Sequence, residues 1–71
     1  MEIAERARRH GIADADMRHA VRHPIFFYEE DPIVMVVGAA TDGRLLEVGV
    51  LDTRDGPLIV HAMSARNKYL R

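Results

Sequence analysis

Hydrophobic and polar positions change period once along this 71-residue chain, and the change divides it in two. In "EIAERARRH", Ile3, Ala4, Ala7 and His10 fall at helical spacing with Arg6 and Arg9 turned away, which predicts a short amphipathic helix. Gly11 supplies its C-terminal stop. A second helix is predicted from about Asp14 to Arg22, burying Met17, Ala20 and Val21. Asp14 and Asp16 suit its positive N-terminus, and Arg18 and Arg22 suit its C-terminal half. Pro24 ends it, because a residue preceding proline is pushed out of the helical region.

Beyond Pro24 the pattern becomes that of strands. "IFFY" is aromatic and apolar, and "EEDP" closes it as a turn. "IVMVVG" is a continuous apolar run rich in β-branched residues, as in a strand covered on both faces. "ATDG" and "DTRDGP" each carry the Asp-Gly pair of hairpin turns. Between them "RLLEVGVL" alternates, with Leu46, Val48 and Val50 on one face and Leu45, Glu47, Gly49 and Leu51 on the other. "LIVHA" is the last strand, where His61 is expected to share a face with Ile59 and Met63. Ser64 is placed to N-cap a final short helix reaching Tyr69. Helices followed by hairpin-connected strands give an α+β fold in a single domain, residues 1–71. The expected architecture is two N-terminal helices packed on one face of a four-stranded antiparallel sheet, plus a short C-terminal helix. Glu47 and Gly49 mark the other face as partly open.

Composition narrows the chemistry. The chain has no cysteine, which excludes thiolate catalysis, disulfides and the common zinc-finger sites and fits a reducing cytoplasm. No apolar run approaches the roughly 20 residues that span a bilayer. The charged N-terminus is not a signal peptide, so a cytoplasmic location is expected. A domain this small buries only about 60% of its unfolded surface, and a partner often helps such a domain.

The net charge of −1 conceals an asymmetry. Residues 1–23 hold five arginines, four acids and three of the four histidines. Residues 24–57 hold seven acids against two arginines, and the remainder has Arg66, Lys68 and Arg71 with no acid. A polyanion-facing side and a cation-facing side are one reading, and a solvated surface of mixed sign is the other.

Among the histidines, His19 and His23 are spaced i, i+4 but have no further ligand nearby in sequence, so two surface histidines fit better than a metal site. His10 suits a helix end. His61 could transfer protons at physiological pH, although composition alone favours a half-buried strand histidine with a satisfied ring. Arg44 and Arg66 could neutralise a phosphodiester, and Lys68, Tyr69 and Arg71 would extend a surface that tracks a nucleic-acid backbone. No cofactor-binding loop, Ser-His-acid set or paired-carboxylate motif appears.

"RRHGI", "VVGAATDGRLLEVGV" and "LIVHAMSARNKYLR", in this order over most of residues 8–69, resemble the BrnT family of bacterial toxins. Members of that family carry a Lys-His-Gly-Val/Ile segment, an Ile-Gly-x-x-x-x-Gly-Arg-Leu-Leu segment, and a terminal Ile-Ser-Ala-Arg before a basic helix. The resemblance implies a RelE-like fold and a metal-independent endoribonuclease that arrests translation, with RNA as substrate, free or on the ribosome. It implies a ribbon-helix-helix antitoxin as partner, in a type II toxin–antitoxin system, with a heterotetramer with the antitoxin as one assembly; apart from the resemblance, so small a core suits a homodimer that covers it by self-association. The matched positions are His10, Gly11, Gly38, Gly43, Arg44, Ser64, Ala65 and Arg66. Of these, Arg44 and Arg66 are assigned to phosphate binding and transition-state stabilisation. His61 and Tyr69 are added as proton-transfer candidates, and Arg8, Arg9, His10, Lys68 and Arg71 as nucleic-acid contacts.

Overall fold

The second helix forms as its spacing predicts. In the computed structural model, which describes residues 1–70, α1 spans Asp14–Arg22 and buries Met17 and Ala20. Its acidic first turn is used for more than dipole compensation. Asp14 pairs with Arg8 at 2.8 Å, and Asp16 Oδ1 accepts hydrogen bonds from both the backbone N–H and the hydroxyl of Thr41. One carboxylate thus ties the helix start to the turn between two strands.

The first amphipathic segment differs from expectation. Residues Glu5–His10 form a 3₁₀ helix with only Ala7 buried in it. Gly11 closes it at φ 76°, a conformation in which a Cβ would be strained. Ahead of it lies a strand that hydrophobic patterning did not signal, β1 (Glu2–Ile3), which pairs parallel to the last strand.

The sheet is therefore mixed and five-stranded rather than antiparallel and four-stranded. β2 (Pro24–Glu30), β3 (Ile33–Ala39), β4 (Leu45–Thr53) and β5 (Gly56–Ser64) form successive antiparallel hairpins, and β1 adds at the far side of β5. The spatial order is β1-β5-β4-β3-β2. Both Asp-Gly pairs lie at hairpin connections, and Gly43 and Gly56 supply the positive φ values there. The α+β class holds, with one α-helix among the described residues rather than two.

α1 packs over β3 and β4, and the 3₁₀ segment packs on β5. Their shared core joins Ala7, Ile12, Met17 and Ala20 to Ala40, Leu46, Val48, Ile59 and Ala62. Burying each large apolar side chain here contributes about 1.5–3 kcal/mol. Gly38 makes the contact close enough: a Cβ at that position would sit 2.1 Å from the carbonyl oxygen of Ala20.

The opposite face has a core of its own. Met35 and Val37 are covered by Tyr69, with Tyr28 and Ala65 packed alongside. The chain after β5 folds back across this face and ends in a single 3₁₀ turn, Asn67–Tyr69. Ser64 remains in β5 opposite Leu46 and caps nothing; Arg66 precedes the turn, without a side-chain cap. The face expected to stay partly open is closed where Glu47 lies.

A β-bulge corrects the alternation read along the last strand. Gly49 pairs with His61 whereas Val50 pairs with Ile59, so Val60 is the additional residue. Ile59 and Ala62 consequently belong to the helix-side core, and His61 projects from the other face. Ile59 and His61 do not share a face.

Candidate functional site: a buried carboxylate holding a histidine and an arginine

Because Leu46 and Val48 face α1, the intervening Glu47 must point to the other side of β4. There it stands between Val37 and Met63 on the neighbouring strands and is fully buried. An isolated carboxylate in that position would cost several kcal/mol, so it requires charged or hydrogen-bonding partners.

The returning C-terminal segment supplies most of them. Glu47 Oε1 accepts the Arg66 main-chain N–H at 2.9 Å and its Nε–H at 3.0 Å. Oε2 accepts Arg66 Nη2 at 2.7 Å and lies 2.9 Å from His61 Nε2. Burial alone would push the Glu47 carboxyl upward, but the Arg66 and His61 hydrogen bonds outweigh it and hold the group below its ordinary range. The Arg66 guanidinium is in turn raised by its hydrogen bonds to Glu47. An ionised carboxylate only accepts, so His61 donates to it through Nε2–H and Nδ1 takes no part in this contact.

The partners are anchored below and exposed above. The His61 side chain is 25% exposed and that of Arg66 is 47% exposed. The His10 ring stands 5.9 Å from that of His61 in an edge-on arrangement at 77°. The end of the 3₁₀ segment that packs on β5 brings it there.

The remaining candidates are distributed as follows. Tyr69 is buried beside the cluster, and its hydroxyl donates to Glu30 Oε2 at 2.5 Å. Burial and that carboxylate push its phenol up to about 12, which keeps it protonated at neutral pH. The Arg66 guanidinium carbon lies 5.7 Å and the Lys68 Nζ 5.0 Å from the Tyr69 ring centre. Tyr69 is thus the apolar support under two cations.

Arg44 is held on the α1 side of the sheet. Its Nε donates to Asp42 at 2.8 Å and its Nη2 lies 3.6 Å from Asp16. The structure therefore unites His61, Arg66, Tyr69 and Lys68 with His10 and separates Arg44 from them. Arg8 is engaged by Asp14 and Glu5, whereas Arg9 enters no ion pair among the described residues. Arg71 lies outside the described residues. His19 Nδ1 is 2.6 Å from the Ala39 carbonyl oxygen and its ring lies against His23. Among the described residues no three histidine or acidic side chains are grouped to hold a metal ion.

Glu47 organises the cluster and is the residue that sequence patterning passed over. The available signal was a lone acid inside the otherwise apolar run "LLEVGV". Its significance depends on Arg66, 19 positions away, returning to it.

Two surface depressions lie elsewhere, one lined by Met1, Arg18, Val21 and Arg22, the other by Glu2, Thr53 and residues 55–58. Among the described residues no helix is long and apolar enough to cross a membrane. Comparison of the chain with protein-family models, with curated proteins and with solved structures finds no match.

Proposed function

We propose that the chain is a RelE-like, metal-independent endoribonuclease, the toxin of a type II toxin–antitoxin pair, acting in the cytoplasm and held inactive by a ribbon-helix-helix antitoxin. The observation that carries this reading is the partly exposed His61–Arg66 pair seated on the fully buried Glu47. RNA carries its own nucleophile, so cleavage needs a base, a cation at the phosphate and an acid for the leaving group.

In this reading His61 Nδ1 takes the proton of a ribose 2′-hydroxyl, and the 2′-oxygen attacks the adjacent phosphorus. Glu47 stabilises the imidazolium that results. The outer edge of the Arg66 guanidinium, beyond the atoms engaged by Glu47, faces the non-bridging oxygens as charge accumulates there. Protonated His10 delivers a proton to the departing 5′-oxygen. The phosphorus–O5′ bond breaks as the 2′-oxygen bond forms, giving a 2′,3′-cyclic phosphate and a free 5′-hydroxyl. Lys68 and Arg9 lengthen the cationic surface along the strand. Arg44 has its role in the fold, joining the turn before β4 to the start of α1.

In a cell-free translation reaction, the wild-type chain is expected to stop protein synthesis and His61→Gln to leave it running. Gln retains a donor for Glu47, so the variant keeps its fold. Undisturbed synthesis with the wild-type chain at every concentration overturns the proposal.

A second reading is a non-catalytic module that binds a partner. It is favoured by the engagement of Arg8, Arg44 and Arg66 by the chain's own carboxylates, which weakens any field attracting a polyanion. It predicts a stable complex with no RNA cleavage.

A further inference from the structure

The two edges of the sheet are finished differently. On one side β1 pairs with β5 and the 3₁₀ segment packs against it. On the other, β2 pairs only with β3, leaving its outer edge bare among the described residues. An edge strand offers unpaired N–H and C=O groups to any second strand, and proteins normally blunt it with lysine, proline, a bulge or an inward charge. Here Pro24 and the irregularity at Ile25 protect only the start. From Phe26 to Glu30 the strand is regular, and it displays Ile25, Phe26 and Phe27, the last 64% exposed.

The charges flanking this strand are polar along its length. The chain enters it on Arg22 and His23 and leaves on Glu29, Glu30 and Asp31. Arg22, Glu29 and Asp31 take part in none of the ion pairs among the described residues. A strand that is basic at one end and acidic at the other is complementary to itself when antiparallel and repels itself when parallel.

We propose that β2 pairs with β2 of a second copy of this chain, antiparallel about a two-fold axis, so that two sheets become one continuous sheet. Phe27 is the midpoint of Pro24–Glu30 and lies on the axis, where the two Phe27 rings form a cross-strand aromatic pair. In that register His23 stands opposite the partner subunit's Asp31, and Ile25 opposite the partner subunit's Glu29. Arg22, at the end of α1, lies beside the acidic end of the partner strand. The interface is isologous and closes on itself, so it yields a dimer and no fibre. It leaves His61 on β5, and the His10 and Arg66 side chains grouped with it, uncovered in each copy, and it does not depend on the ribonuclease reading.

Sedimentation velocity over a concentration series of the full chain tests this. A reversible dimer is expected. Phe27→Lys is expected to weaken it at least about tenfold, as loss of a central aromatic anchor does. Asp31→Lys is expected to weaken it at low salt, and His23→Glu added to Asp31→Lys to recover much of the loss by placing opposite charges face to face. All three side chains are exposed, and an unchanged far-UV circular dichroism spectrum verifies folding. A chain monomeric up to its solubility limit, or a dimer indifferent to Phe27→Lys, overturns the proposal. So does a charge-swapped double variant no stronger than Asp31→Lys alone.

Discussion

Glu47 and Arg66 set the energetics at the scale of single residues. Removing one member of a buried ion pair leaves the other charge uncompensated, whereas replacing both with apolar groups is often neutral. Arg66→Ala is therefore expected to lower the unfolding free energy, and Glu47→Met with Arg66→Met to fall much closer to wild type. Urea denaturation of the three proteins checks this. The pH dependence follows from the same carboxylate. Its pKa is lower in the folded chain than in the unfolded one, so its stabilisation is complete above the unfolded value near 4.5 and is lost as pH falls through the folded value. Asp14, Asp16 and Asp42 are also held low, so wild type loses stability in acid through several groups. The contribution of Glu47 is the difference from Glu47→Gln, whose stability is expected to fall less steeply below about pH 4.5. Equal slopes for the two proteins would contradict the assignment.

At the scale of elements, close approach of α1 to β3 depends on Gly38. A methyl group there meets the Ala20 carbonyl oxygen, a backbone atom that cannot turn aside. Gly38→Ala is expected to cost about 3 kcal/mol, as overpacking does, and to appear as a lowered melting temperature with chemical-shift changes along Met17–Val21. What could be read from sequence at this scale was whatever is encoded locally. α1 was legible from the spacing of Met17, Ala20 and Val21, its acidic first turn and Pro24. The hairpins were legible from their Asp-Gly pairs. β1 was not, because two residues carry no period and pair with a strand more than fifty positions away. The bulge at Val60 was not legible either, because strict alternation is the premise it breaks. Each error moved part of the candidate site: the bulge separated His61 from Ile59, and the C-terminal turn carried Arg66 onto Glu47. His61 and Arg66 were visible as residue types, but the buried acid joining them was not.

Across the whole molecule, the sheet keeps two separate cores. The core under α1 fixes the fold, and the core under Tyr69 holds the charged cluster against the sheet surface. This division explains why a chain of net charge −1 can still present His10, His61, Arg66 and Lys68 together at one place. The acids that balance the total lie largely in the middle of the sequence, at the β2–β3 turn and the later hairpins. The same separation puts the bare β2 edge at the opposite side of the sheet from β5, so association there leaves His61 uncovered. The most direct measurement is the chemistry of the RNA ends after incubation of the purified chain with an RNA oligonucleotide in the presence of a chelator. Mass spectrometry is expected to find 2′,3′-cyclic phosphate and 5′-hydroxyl ends with wild type and intact RNA with His61→Gln. Intact RNA with the wild-type chain, with and without ribosomes, would contradict the account, as would cleavage that persists unchanged in His61→Gln.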